Sequence, residues 1–163
     1  MTEQIVNKGI EIKQIDSSEV ELVVVLFNQY RIFYNQPSDI QLARTFIDAR
    51  IQNNESIIFV ALFDDGNKKI PVGFTQLYPK YSSARAIKNW ILNDLYVDSA
   101  YRKQGIGERL INSAIAFAKV GGAKFVQLET ATDNKTAQSL YESIGFKKQD
   151  PDNEFFLYRI DVN

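Results

Sequence analysis

Residues 93–147 read NDLYVDSAYRKQGIGERLINSAIAFAKVGGAKFVQLETATDNKTAQSLYESIGFK, and the fold is decided here. The apolar residues just before and within its start, Ile91-Leu92 and Leu95 to Val97, form runs too short for a helix and broken by Asn93-Asp94, which predicts a strand. Beyond Arg102-Lys103-Gln104-Gly105-Ile106-Gly107, the residues Ile106, Leu110, Ile111, Ala114, Ile115 and Ala118 recur at spacings of three and four. That is the stripe of a helix packed on a sheet. Gly121-Gly122 ends it. A second strand is expected over Phe125 to Thr130, then a second helix after Asn134 that carries Tyr141.

Gly105 and Gly107 therefore stand where a strand hands over to a helix N-terminus. The first amide N–H groups of a helix lack partners within it, and its dipole favours negative charge there. Glycine lets a phosphate approach the bare backbone. Arg102 and Lys103 add cationic side chains on the approach. A tight turn with no ligand is the other reading of the same glycines. Two phosphate motifs are excluded by neighbouring residues. A dinucleotide fingerprint needs a third glycine where Leu110 stands, and a P-loop needs Lys then Ser or Thr where Glu108 and Arg109 stand.

These residues resemble the GNAT superfamily of acyl-CoA-dependent N-acetyltransferases. Its signature, Gln or Arg, two residues, Gly, one residue, Gly or Ala, is matched by Arg102, Gly105 and Gly107. YVDSAYRKQGIGERLI is similar to the family's strand, loop and cofactor helix, and LETATDNKTAQSLYESIGF to its next strand and helix. The resemblance implies one α/β domain over 1–163, with a mixed, mostly antiparallel sheet, a splayed parallel pair and about four flanking helices. It implies acetyl-CoA as cofactor, its diphosphate on the amides of Lys103, Gln104, Gly105, Ile106 and Gly107. The pantetheine arm would pair with main-chain groups of the Leu95-Tyr96-Val97 strand, with Asn134 capping the last helix or touching that arm.

The rest of the chain fits one domain. It has 163 residues, 45% hydrophobic and 24% charged, enough for a single core. Without cysteine there is no disulfide scaffold, thiolate zinc site or cysteine nucleophile, and without histidine the commonest base and metal ligand are missing. No metal site is expected. A net charge of −1 gives no support to nucleic-acid binding. The run MTEQIVNKG lacks the apolar core of a signal peptide and no apolar run reaches membrane-spanning length, so no membrane partner and a cytoplasmic location are expected.

In chain order, the pattern predicts a strand over Ile10 to Ile15, then a helix over Glu19 to Tyr34 after the capping types Asp16, Ser17 and Ser18. Its inward side is Val20, Val23, Val24, Phe27 and Arg31. A second helix to about Asn53 starts at a Ser38 or Asp39 cap, with Leu42, Phe46 and Ile47 inward. Ser56 to Phe63 and Ile70 to Tyr78 read as a hairpin, Pro79 to Ala86 as a loop and Lys88 to Val97 as a strand. Short strands are expected at Phe146 to Gln149 and from Glu154 to about Asp161, with a turn at Asp150 to Asn153.

Acyl transfer to an amine needs a neutral amine, donors for the developing oxyanion and stabilisation of the departing thiolate. An alkylamine has a pKa near 10.4, so a carboxylate or water must take its proton here. Glu129, at the expected strand end, and Asp94, in the facing strand, are the candidates. By the resemblance, Tyr141 donates a hydrogen bond to the thiolate as it leaves. Tyr30, Phe33, Tyr34, Tyr78, Tyr81 and Trp90 are candidates to embrace the stem or cation of the acceptor, and ordinary core packing is the other reading of each. YRIFYNQPSD, LYPKYSS and WILNDLYV resemble a branch associated with histone and polyamine acetylation. That implies a primary amine acceptor, small or protein-borne, attacked directly, and relatives that form dimers or larger assemblies. The competing reading is a non-catalytic acyl-CoA sensor or interaction module.

Overall fold

The computed structural model describes residues 9–162. The N-terminal run read above for secretion signals lies outside the described residues, save Gly9. Five strands, β1 (Ile10–Gln14), β2 (Ile57–Asp64), β3 (Lys69–Ser82), β4 (Ile87–Val97) and β5 (Val126–Gln127), form one sheet in the order β1-β2-β3-β4-β5. Pairs β1–β2, β2–β3 and β3–β4 are antiparallel, and β4–β5 is parallel. The helices are α1 (Glu21–Phe33), α2 (Ile40–Gln52), α3 (Ile106–Val120) and α4 (Lys135–Ile144), with a 3-10 turn at Ser99–Tyr101. The class is mixed α/β, as expected.

Contacts divide the chain into two compact units, one ending at Glu129 and the other beginning at Thr130. In the first, alternation along the strands sends side chains to two faces. Ile58, Val60, Leu62 and Phe74 bury against Val23, Val24, Phe27, Ala43 and Ile47 of α1 and α2. Phe59 and Trp90 meet Phe117 of α3, with ring centroids 6.0 and 5.3 Å apart. Arg109 of α3 ties that helix to β1 by donating to the Ile10 carbonyl at 2.8 Å.

Local chemistry moves several boundaries. Helix α1 opens at Glu21 without a side-chain cap, because the Asp16 carboxylate accepts from Ser18 in the turn before it. Asp39 caps α2 by accepting from Leu42 N at 2.9 Å. Leu42 is exposed instead of buried, since Ala43 and Ile47, four apart, hold the inward stripe. The first half of the expected 79–86 loop, as far as Ser82, is strand, with Pro79 opposite Trp90. Pairing of β2 with β3 stops at Leu77, so at Pro79 that edge of β3 asks for no N–H.

In the second unit, α4 is capped by Asn134, whose Oδ1 accepts from Ala137 N at 3.2 Å. Gly145 (φ 118°) ends it in the left-handed conformation, the Phe146 N–H reaches back to the Tyr141 carbonyl, and the two rings pack edge-on at 6.0 Å. This is a Schellman ending with its apolar contact. The strands expected at 146–149 and 154–161 do not form. A strand exists only in a ladder, and among the described residues neither segment has a pairing partner. Phe156, Leu157, Tyr158 and Ile160 are exposed. The turn is present, with the Asp152 carboxylate accepting from the N–H groups of Glu154 and Phe155.

Candidate active site

Strand β4 is irregular at the point that matters. Gln76 opposes Asp94 while Leu77 opposes Leu92, which leaves Asn93 as an extra residue. Such a bulge re-aims the side chains around it. Trp90 and Leu92 face α3, whereas Asp94 and Tyr96 turn to the α1 face beside Gln76 and Phe74. Without the bulge, Leu92 and Asp94 would share a face.

Asp94 is 2% exposed. Each carboxylate oxygen receives one amide N–H, Oδ1 from Asn93 at 2.7 Å and Oδ2 from Gln76 at 2.5 Å. Its carbonyl accepts from the Thr75 hydroxyl at 2.8 Å. Burial raises the carboxyl above the ordinary aspartate range, and the hydrogen bonds from Asn93, Gln76 and Tyr30 oppose that only in part. The Tyr30 hydroxyl lies 3.5 Å from the Asn93 carbonyl. Burial, then the nearby Asp94 charge, pushes the phenols of Tyr30 and Tyr78 upward, so both stay protonated donors.

The structure therefore brings Asp94, Tyr30 and Tyr78 together, with the Tyr34 ring tilted against Tyr30 at 4.9 Å between centroids. It does not bring Trp90 there. That ring is buried against Phe117 on the opposite face, with the Lys88 ammonium 4.6 Å from its centroid. Tyr81 is exposed at the outer end of β3, and its ring lies 5.6 Å from the same ammonium. Phe33 is exposed on α1. Glu129 lies two residues beyond β5, which is only Val126–Gln127, and is exposed.

Gln76 escaped the sequence reading. Phe74, Gln76 and Tyr78 alternate onto one face of β3, and an amide in such a stripe is the signal that could have found it.

The second half of the site is the turn into α3. Gly105 holds the N-cap position with φ 78°, no side chain caps the helix, and Lys103 is also left-handed at φ 60°. A Cβ built on Gly105 would meet nothing within 4 Å, so this backbone opens on clear space. Gly107 lies in the first turn of the helix. Uncapped N–H groups, an open approach and a fifteen-residue helix behind them suit an anionic diphosphate. Arg102 is engaged elsewhere, donating from Nε to the Val97 carbonyl at 2.8 Å with its guanidinium 5.5 Å from the Tyr96 centroid. It braces the end of β4.

Between these halves runs a stretch of bare strand edge. The parallel ladder of β4 with β5 covers only Trp90–Val126 and Ile91–Gln127. On its other side β4 stays paired to β3 as far as Val97. Among the described residues, the β5 side of Leu95 to Val97 thus has no strand on it, which is the edge an extended amide-bearing arm needs. Among the described residues no group of three acidic or other metal-ligating side chains could hold a metal ion, and no helix is long and apolar enough to cross a membrane.

The model of the acetyltransferase (GNAT) family matches residues 23–146. The chain belongs to that family. This GNAT acetyltransferase is 42% identical over 151 residues to the N-acetyltransferase YhfO of Bacillus subtilis, covering 93% of this chain and 97% of that one. It is 30% identical over 138 residues to a probable acetyltransferase of Haemophilus influenzae, covering 85% and 90%. Among solved structures, a probable acetyltransferase superposes with a TM-score of 0.81 at 36% identity, covering 94% of this chain and 98% of that one. The aminoglycoside N-acetyltransferase AAC(6')-Iy, solved with CoA, shares the fold at TM-score 0.72 and 19% identity over 92% and 93%. The protein is thus an enzyme, an acetyltransferase of the GNAT fold.

Proposed function

We propose that this enzyme moves an acetyl group from acetyl-CoA to a primary amine by direct attack, with Asp94 taking the amine's proton. The observation that carries this reading is the Asp94 carboxylate, buried on the α1 face, raised by burial and ringed by phenols. A base works best with a pKa near the operating pH, and burial moves an aspartate in that direction. Glu129, exposed beyond β5, lacks such surroundings.

Acetyl-CoA supplies a thioester activated for acyl transfer. The backbone from Lys103 to Gly107 holds its diphosphate, and the fit of the open, uncapped helix start supports that assignment. Leu95, Tyr96 and Val97 hold the arm through main-chain groups. Tyr30 and Tyr78 line the acceptor's approach with Tyr34 at its mouth, offering aromatic faces and donors to a cationic amine. Tyr141 supplies a hydrogen bond to the departing sulfur. Its support is the motif SLYESIGF and the helix that Asn134 caps. One domain over 1–163 is proposed as well, since the family match from 23 to 146 crosses the division at Glu129.

The direct test is thiol release from acetyl-CoA with a panel of primary amines, followed by mass spectrometry of the products. Acetylated amine with no acetylated protein supports direct attack. A stable acetyl-enzyme formed before amine is added overturns it.

A further inference from the structure

Gln76 is fully buried, and its carbonyl Oε1 has no hydrogen-bond partner among the described residues. An unpaired buried acceptor is a cost that an apolar side chain of similar volume would avoid. Packing alone does not require an amide there. The gain from having one is at its other end, where Nε2 donates to Asp94 Oδ2 at 2.5 Å across the β3–β4 pair. Turning the amide over would set two oxygens against each other and leave the N–H donors unpaired instead, so the orientation is fixed by the carboxylate.

We propose that Gln76 is a positioning residue for acetyl transfer, holding the Asp94 carboxylate in one orientation and in its ionised, proton-accepting form. This rests on the reading of Asp94 as the base. The clamp has three points. Gln76 and Asn93 each take one carboxylate oxygen, and Thr75 takes the Asp94 carbonyl. Gln76 and Thr75 are both wholly buried and both reach from β3, but only Gln76 meets the carboxylate itself. A donor to the ionised form lowers a carboxyl pKa, opposing the burial that raises it. The donor thus favours the ionised form, which is the form able to take the amine's proton. The other titratable groups around the carboxylate are the phenols of Tyr30 on α1 and Tyr78 on β3, with Tyr34, just past α1, acting on Tyr30, and Arg50 near the end of α2 and Glu55 acting on Tyr78.

The experiment is the pH profile of kcat/KM for the wild type, Gln76→Met and Gln76→Glu, with a primary amine the wild type acetylates, alongside CoA affinity. Removing the donor should move the acid limb up by about one to two pH units, the equivalent of one hydrogen bond to a charged group. Gln76→Glu should move it further, because two adjacent carboxyls share a proton. CoA affinity should hold. An acid limb that stays in place in both variants, with activity reduced evenly at every pH, overturns the proposal and leaves Gln76 as packing. Should Gln76→Met not fold, Gln76→Asn withdraws the same N–H by one methylene and is read the same way. Asp94→Asn separates the two claims. If it keeps the acid limb, the base reading itself fails, whereas if it loses the limb while the Gln76 variants leave it unmoved, only the positioning role fails.

Discussion

The side-chain oxygen of Asn89 accepts the backbone N–H of Lys124 at 2.8 Å, and that of Phe125 at 3.2 Å. Asn89 is on β4 and is 1% exposed, so a side chain in place of a ladder fastens the chain at the entrance to β5. Two ladder pairs follow, and then β4 runs on without its parallel neighbour. Asn89→Ala would strand two amide donors, each worth about 1–3 kcal/mol where no water reaches them. Each kcal/mol lost lowers Tm by about 2–4 °C in a chain of this size. Thermal melts with and without CoA check it. The expected result is a lower Tm together with weaker stabilisation by CoA, since β5 is then less firmly fixed beside the arm's edge. An unchanged melt would mean that water replaces the clamp.

Gly105 makes a different demand. Its φ of 78° is left-handed, where a Cβ costs roughly 1–2 kcal/mol, yet the space around it is open. Gly105→Ala should therefore destabilise the protein through backbone strain, with no crowding inside the fold. Gly105→Asn should cost less, because asparagine tolerates this conformation. CoA affinity ranks differently. Gly105→Val should weaken binding most, as its side chain stands where the diphosphate approaches. Calorimetry of CoA binding across the three variants checks the order, and equal affinities would place the diphosphate elsewhere.

Much of this was legible because periodicity and sheet packing agree. The stripe from Ile106 to Ala118 became α3 with Ile106, Leu110, Ile111, Ala114 and Ala118 buried, and Val20, Val23, Val24 and Phe27 face the core as expected. What escaped depends on register. Whether Asp94 faces α1 or α3 turns on one extra residue, Asn93, and Trp90, a candidate for the acceptor by its aromatic character, sits on the opposite face against Phe117. The strands expected beyond Phe146 did not form because a short segment supplies no partner to pair with. The glycine turn was readable as a helix start, but not the engagement of Arg102 with Val97.

Tyr141 has two roles to separate. Its ring packs on Phe146 at the end of α4, and its phenol is the proposed donor to the departing sulfur. Tyr141→Phe keeps the ring contact and removes only the hydroxyl. CoA affinity should hold, and turnover should fall about 10- to 150-fold, the value of one hydrogen bond to a developing charge. Equal turnover would leave the residue as the apolar half of a helix ending.

Asp94→Asn should uncouple stability from activity. Burial raises the Asp94 carboxyl, so its folded pKa lies above the unfolded value of about 3.9. Such a group stabilises the fold fully below the unfolded value, and that contribution is lost as pH rises through the folded one. At neutral pH and above, the ionised form is thus a burden on the fold. Asp94→Asn removes it, and Tm should rise at pH 8 with a gain that shrinks toward pH 4. Meanwhile kcat/KM should fall by about 100- to 10,000-fold, the usual worth of a general base. Glu129→Gln is the matched control. It removes an exposed carboxylate and should leave both the melt and the acid limb of the profile in place. If Glu129→Gln abolishes that limb while Asp94→Asn preserves it, the proton goes to Glu129, and the buried pair on β3 and β4 serves the fold alone.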